Sequence, residues 1–432
     1  MIRLANVLIA DSDRTRADSL SDRLLRAGYR TTIVASAAEA SGHVGGECPD
    51  LVMVGEGLHP ALLAIVDRNE GTADIPVVLV ADAITPALCV EAFDSGCDDA
   101  VAAACGDEEL FARLLPLVRL ATMHAELRQR ALAARRFGVA ARQRVTAAPT
   151  RPNVLVVGDD PAPVQAVLAA EADITCTDNL FEAEDLLTRR NFDAAVLSFS
   201  GEENRVLDFC TQVRHNPRLF NLPILLLAGY APSPTEAYRH GATRVLPRPV
   251  EPQVLRTGVL TLVRRQQLRW AIRGALAESL VAQTRDDDTG CYSRAYYEGY
   301  LEDRLALAEA SGRYLTVVEL TAPNVENVRR EFGADAGQHL TQQLGQWITG
   351  LLRAEDLVAR TGSHEFSAVL PDTPLAEAEV VMHRIAGVLA YTDFAVREVY
   401  QPVKAWVQVG ATEARPGDDI AAVLARVRRN LG

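Results

Sequence analysis

The sequence predicts an α/β protein of consecutive doubly wound domains, and three observations carry that expectation. The chain repeats itself, each repeat alternates short apolar runs with longer helical segments, and 432 residues exceed one ordinary core. The run "NVLIADSD" (6–13) returns as "NVLVVGDD" (153–160), and "CPDLVMVGEG" (48–57) as "NFDAAVLSFS" (191–200). "IPVVLVADA" (75–83) is echoed by "LPILLLAGY" (222–230), and "SGCDDAVAA" (95–103) by "HGATRVLPRP" (240–249). The period is roughly 145 residues, far longer than a solenoid repeat, so whole domains are duplicated. Continuous apolar strands separated by segments such as "RADSLSDRLLRAGY" (16–29) describe a parallel sheet covered by helices on both faces. The flavodoxin-like order is the default for domains of this size.

Each copy ends in a long apolar-periodic helix, expected over 114–144 and 254–283, with Leu268, Ile272, Leu276 and Leu280 at i, i+4 spacing. Turns beyond the domain suggest coupling or self-association, and a homodimer is expected. "TAAPTRP" (146–152) breaks the chain between the copies. The expected organisation is a first domain over 1–122, a helical linker over 123–150 and a second domain over 151–270. A linker helix follows over 271–284, then a third domain over 285–432.

Composition excludes several classes. Apolar content of 48% and charge of 23% describe a globular chain. A net charge of −13 argues against nucleic acid or anionic membrane as the main partner. Seven cysteines, at 48, 89, 97, 105, 176, 210 and 291, form no C-x-x-C pair and are expected as small buried hydrophobes in a reducing compartment. "MIRLANVLIADSD" is expected as a first strand and not a signal peptide, and no apolar window reaches the ~18 residues of a membrane span. A cytoplasmic location is expected.

On these residues the two copies resemble response-regulator receiver domains, and 285–432 resembles a diguanylate cyclase domain of the GGDEF type. Together the order resembles the PleD/PopA-like family of alphaproteobacterial regulators. The implied fold is two flavodoxin-like receivers followed by an α/β, nucleotide-cyclase palm-like GGDEF domain. Receiver chemistry needs an acid pair for Mg²⁺, a phosphoacceptor aspartate, a hydroxyl and a lysine. Asp11 and Asp13 supply acids in copy one, but Gly55 stands at the acceptor, Ala81 at the hydroxyl and Ala103-Ala104 at Lys-Pro. In copy two Asp159 and Asp160 remain, with Ser198 at the acceptor, Ala228 at the hydroxyl and Arg248-Pro249 at Lys-Pro. Glu56 is expected to point away from the acceptor corner. Both receivers are therefore expected as interaction modules.

The third domain carries "TGSHEFS", whose motif residues are Gly362, Ser363, His364, Glu365 and Phe366. Joining two GTP molecules requires carboxylates around Mg²⁺. The resemblance places one at Thr321 and the other at His364, and imidazole is a poor Mg²⁺ ligand. Its guanine-reading pair becomes Arg329 and Gln338, and its phosphate-gripping Lys and Arg lie past the final "VRRNLG". Asp286, Thr289, Gly290, Glu365 and Phe366 match. Neither catalysis, nor a resident cofactor, nor a metal is expected, and His364 is expected as a hairpin-turn residue.

Arg353 and Asp356 of "RAED", with Arg384, occupy the positions of the family's inhibitory product site. A guanidinium fork can bind guanine O6 and N7 or straddle a phosphate, and a carboxylate can accept from guanine N–H groups. Other R-x-x-D spacings, including Arg285/Asp288 and Arg415/Asp418, are expected as solvated surface charges. The leading expectation is a non-catalytic cyclic di-GMP effector acting on protein partners. By analogy it is an adaptor at a cell pole that delivers cell-cycle regulators for proteolysis. The competing readings are a working cyclase with unusual metal ligands and a scaffold that binds no nucleotide.

Overall fold

The structure, a computed structural model, describes residues 5–46, 49–68, 74–146, 150–199, 203–216, 218–229, 233–397 and 399–431. The breaker at 146–152 thus falls partly, and Cys48 wholly, outside the described residues. The chain divides into two compact units, Ala5–Ala121 with Thr146–Ala271, and Thr122–Val145 with the residues from Ile272 onward.

The first unit holds both repeats. In one, β1 (Asn6–Ala10), β2 (Arg30–Val34), β3 (Leu51–Gly55), β4 (Val77–Ala81) and β5 (Asp99–Ala102) form a parallel sheet ordered β2-β1-β3-β4-β5. In the other, β6 (Asn153–Val157), β7 (Asp173–Thr177), β8 (Ala194–Leu197), β9 (Ile224–Ala228) and β10 (Arg244–Pro247) repeat that order as β7-β6-β8-β9-β10. β3, β4, β8 and β9 are buried along their whole length, which is why they contain almost nothing but aliphatic residues. Both domains are receiver-like. They meet around Asp99, which is 5% exposed. Arg113 of its own domain holds it at 2.5 Å, and Arg244 and Arg265 of the second approach to 3.3 Å.

The second unit is built on an antiparallel sheet of β11 (Leu315–Thr321), β12 (Leu357–Arg360), β13 (Glu365–Pro371) and β14 (Gln408–Glu413), ordered β12-β13-β11-β14. Alternation along β11 splits two cores. Val318 and Leu320 face Leu340, Leu344, Met382 and Ile385, while Leu315 and Val317 face Tyr296, Tyr300, Val423 and Val427. Ala133 and Ala134 complete the second core.

Both long helices differ from expectation at their ends. The first spans Asp107–Arg135 and starts in three acids that suit a helix N-terminus. It ends at Gly138, φ +74°, where the amides of Phe137, Gly138 and Val139 turn back on the carbonyls of Ala134 and Arg135. Residues 136–144 are therefore not helical, although their apolar pattern continues. The second spans Pro252–Ala277 and stops short of 283, because the Ser279 hydroxyl takes the Leu276 carbonyl and the Thr284 hydroxyl takes that of Ser279. Cys97, Cys210 and Cys291 are buried as expected, whereas Cys89, Cys105 and Cys176 are only partly so. Among the described residues, no helix is long and apolar enough to cross a membrane.

Candidate functional site

In the first receiver-like domain the acid corner is occupied from within. Arg16, in the first turn of the helix Arg14–Arg26, donates through Nε and Nη2 to Asp11 at 2.6 and 2.8 Å, and through Nη1 to Asp82 at 3.0 Å. These bonds to Asp11, against the cost of burial, raise the Arg16 pKa above the ordinary arginine value. Asp13 caps the helix by accepting from the amides of Thr15 and Arg16. The two expected acids are thus committed to a guanidinium and to a helix cap. Gly55 ends β3 directly opposite, and a Cβ there would stand 2.5 Å from Asp11 Oδ1. Glu56 is exposed, in the turn that follows β3. In the second domain Ser198 is buried, accepts from Arg248 Nη2 at 2.6 Å and donates to the Asp160 carbonyl at 3.3 Å. Arg16 was missed because an arginine in the first turn of a helix looks like an ordinary surface charge.

The motif residues form the hairpin between β12 and β13. Thr361 and Gly362 donate their amides to the Glu365 carbonyl, and Phe366 inserts into the core at 1% exposure. His364 is half-buried, with Nδ1 2.9 Å from the Ser363 hydroxyl and its carbonyl accepting from Ala322 N, as a turn residue should be. Arg360 holds the turn from below, donating to the carbonyls of Gly362 and Ser363 and pairing with Asp286 and Asp288. Asp286 in turn accepts from the amide and hydroxyl of Thr289. Gln338 donates to Asp288 at 2.9 Å, and Arg329 pairs with Glu326 at 3.5 Å, so both are engaged locally.

Thr321 sits opposite Glu365 in the β11–β13 register, and Glu319 opposite Ser367 on the same face. Glu319 is 4% exposed, lies 3.4 Å from Arg428, and leaves Oε2 without a hydrogen-bond partner. Burial raises its pKa, Arg428 opposes this, and Glu365 adds to it. An acid inside "VVELT" was the available signal for Glu319, and the pattern alone did not distinguish it from an edge residue. Among the described residues, no group of three His, Cys, Asp or Glu side chains could hold a metal ion.

Arg353, Asp356 and Arg384 come together. Asp356, 8% exposed, accepts the Arg353 amide at 2.8 Å and returns its own amide to the Arg353 carbonyl, closing a tight turn immediately before β12. Arg384 reaches from the exposed side of the helix Leu375–Tyr391 to the Leu351 carbonyl at 3.4 Å. The Arg353 guanidinium makes no hydrogen bond or ion pair among the described residues. Arg415 and Asp418 build the same backbone turn; Arg415 is exposed as expected, whereas Asp418 is largely buried and paired with Arg426, which corrects its assignment as a solvated charge. The two turns share their backbone bonds and differ at the carboxylate, since Asp418 is taken by Arg426.

Residues 283–432 match the family described as diguanylate cyclase, GGDEF domain. Over 433 aligned residues the chain is 25% identical to the response regulator PleD of Caulobacter vibrioides, covering 98% of this chain and 95% of that protein. The chain is PleD-like along nearly its whole length. A shorter stretch of 105 residues is 27% identical to the probable diguanylate cyclase DgcC of Escherichia coli, covering 24% of this chain and 28% of that one. Among solved structures, the GGDEF domain of DgcB from Caulobacter crescentus in complex with c-di-GMP aligns at 19% identity and a TM-score of 0.33, over 34% of this chain and 84% of that one.

Proposed function

We propose that this PleD-like chain is a non-catalytic cyclic di-GMP effector whose GGDEF domain is degenerate. The dinucleotide binds at Arg353, Asp356 and Arg384, and the signal passes to protein partners. The observation that carries the reading is the turn at 353–356, which presents one unengaged guanidinium beside a second arginine. The positions that would hold Mg²⁺ carry a threonine and an imidazole. Each hydrogen bond to a charged group contributes roughly 1.5–3 kcal/mol, and micromolar affinity needs about 8 kcal/mol, so three such residues suffice for a signalling ligand. The receiver-like domains serve as docking modules, since Gly55 and Ser198 replace the acceptor and Arg16 and Arg248 fill the corners beside them.

The reading extends by analogy to a homodimeric adaptor nearer to PopA, placed at a cell pole and presenting cell-cycle regulators for proteolysis. A working cyclase is the competing reading, and it draws on Glu365, retained in the motif, and on Glu319 two residues before Thr321. One experiment separates them. The full chain is titrated calorimetrically with cyclic di-GMP and with GTP, and incubated with GTP and Mg²⁺ while product is followed. Cyclic di-GMP binding without turnover is expected. Steady product formation abolished by Glu365→Gln would establish the cyclase, and absence of binding at high micromolar ligand would leave a scaffold.

A further inference from the structure

The turn that presents Arg353 does not stand on its own domain alone. Arg130, 4% exposed on the helix Asp107–Arg135, donates through Nη2 to the carbonyl of Glu355 at 2.7 Å, inside the 353–356 turn. That helix is anchored to the domain on every side of this contact. Glu126, fully buried one turn earlier, accepts from the Tyr300 hydroxyl and pairs with Arg304 at 3.2 Å. The Tyr296 hydroxyl donates to the Arg130 carbonyl at 2.9 Å, and the Arg130 guanidinium lies 5.9 Å from the centre of the Tyr292 ring. Two turns before Arg130, Thr122 donates to Asp372 at 2.7 Å, and just past the helix end Arg136 pairs with Asp303 at 2.6 Å.

We infer that Arg130 is a positioning residue for the dinucleotide turn, and that docking of Thr122–Arg135 and binding of cyclic di-GMP stabilise each other. The inference rests on the reading that the ligand binds at Arg353 and Asp356. A tight turn of four residues has few internal bonds, and its amide–carboxylate clasp leaves the Glu355 carbonyl to be fixed from outside. Arg130 supplies that fixation, and a guanidinium buried among Tyr292, Tyr296 and Tyr300 has one orientation and not many. Withdrawing the helix removes the strut, so the turn samples geometries in which Arg353 and Arg384 no longer converge. Reciprocity then follows: a ligand that prefers the fixed turn must favour the docked helix by the same factor.

The test uses the full chain and cyclic di-GMP, with affinity read by calorimetry and helix protection by hydrogen exchange of peptides spanning 122–135. Wild type is expected to bind and to show slower exchange in those peptides when liganded. Arg130→Gln should bind about tenfold more weakly and lose the ligand-induced slowing, whereas Arg130→Lys, which keeps a charged donor for the carbonyl, should recover most of both. Arg294→Ala, an exposed charge paired with Glu298 one turn on, should match wild type. If wild type does not bind, the proposed function itself fails. If wild type binds with no slowing over 122–135, or Arg130→Gln binds as tightly as wild type, the coupling is overturned while the function stands. Should Arg130→Gln not fold by circular dichroism, the wild-type exchange and the Lys variant still decide.

Discussion

Asp99→Asn is the most informative single perturbation of the receiver-like pair. The carboxylate is 5% exposed and accepts from Arg113 Nε and Nη2 at 3.2 and 2.5 Å and from Arg265 at 3.3 Å, with Arg244 at 3.3 Å. Burial opposes its charge, but Arg113, Arg244 and Arg265 together overcome that and hold its pKa below the ordinary carboxylate value. The neighbouring guanidiniums are short of acceptors: Arg265 Nε and Nη1 and Arg244 Nε have no hydrogen-bond partner. An amide in place of the carboxylate leaves three buried cations facing one another, and breaking a buried pair costs about 3–5 kcal/mol. For a unit of this size that corresponds to roughly 6–20 °C in melting temperature. Because the folded pKa is depressed, the stabilisation is complete above the ordinary carboxylate range and is lost as pH falls through it. The gap between variant and wild type should therefore narrow below about pH 4. Thermal melts, with hydrogen exchange of peptides covering β5 and β10, measure the effect. Arg265→Met added to the variant should restore part of it. Melting indistinguishable from wild type at pH 7 would refute the account.

Four further outcomes are expected. Arg353→Ala should weaken cyclic di-GMP binding tenfold to a hundredfold (about 1.4–2.8 kcal/mol) in calorimetry, while Arg285→Ala, at the same spacing but paired with Asp287, should leave it unchanged. Acetyl phosphate should add no acid-labile phosphate mass to the wild-type chain, because Gly55 offers no acceptor and the Ser198 hydroxyl is buried against Arg248. Mg²⁺ should not shift the wild-type melting temperature through the first receiver-like domain, and Arg16→Ala should introduce such a shift by releasing Asp11 and Asp82 to a hard cation. Glu319→Gln should stabilise the GGDEF domain at pH 7 in thermal melts. Its folded pKa is raised, so the ionised form costs stability above the ordinary carboxylate range, and the gain should fade on acidification through it.

The sheets were legible because burial on both faces leaves an unmistakable record: "LVMVG" and "ILLLA" admit hardly anything but aliphatic side chains. Helix ends were less legible, since the apolar pattern runs on past Arg135 while a single glycine at positive φ ends the helix. The turn at 353–356 is legible from its spacing and its place before a strand, but spacing does not separate it from 415–418. The Asp418 carboxylate is held by Arg426, which is eight residues on in the sequence and approaches it only in the folded domain. The roles of Arg16, Glu319 and Arg130 are not legible in the sequence, for a common reason. Each is a charged residue whose role is set by a partner distant in sequence or by burial, and neither leaves a period in the chain.

The helix Asp107–Arg135 carries a consequence for how this protein can be cut. Its first half buries Leu110, Leu114 and Leu117 in the first receiver-like domain, and its second half places Glu126, Ala133 and Ala134 in the interior of the GGDEF domain. A fragment beginning near residue 285 would expose the faces of Tyr296 and Tyr300 and strand Arg304 without its carboxylate. The GGDEF domain is therefore not a portable cassette. Grafted behind another regulator it would lack two pieces of its own unit, Thr122–Val145 and the segment from Ile272 to Thr284, and a fragment meant to fold needs both.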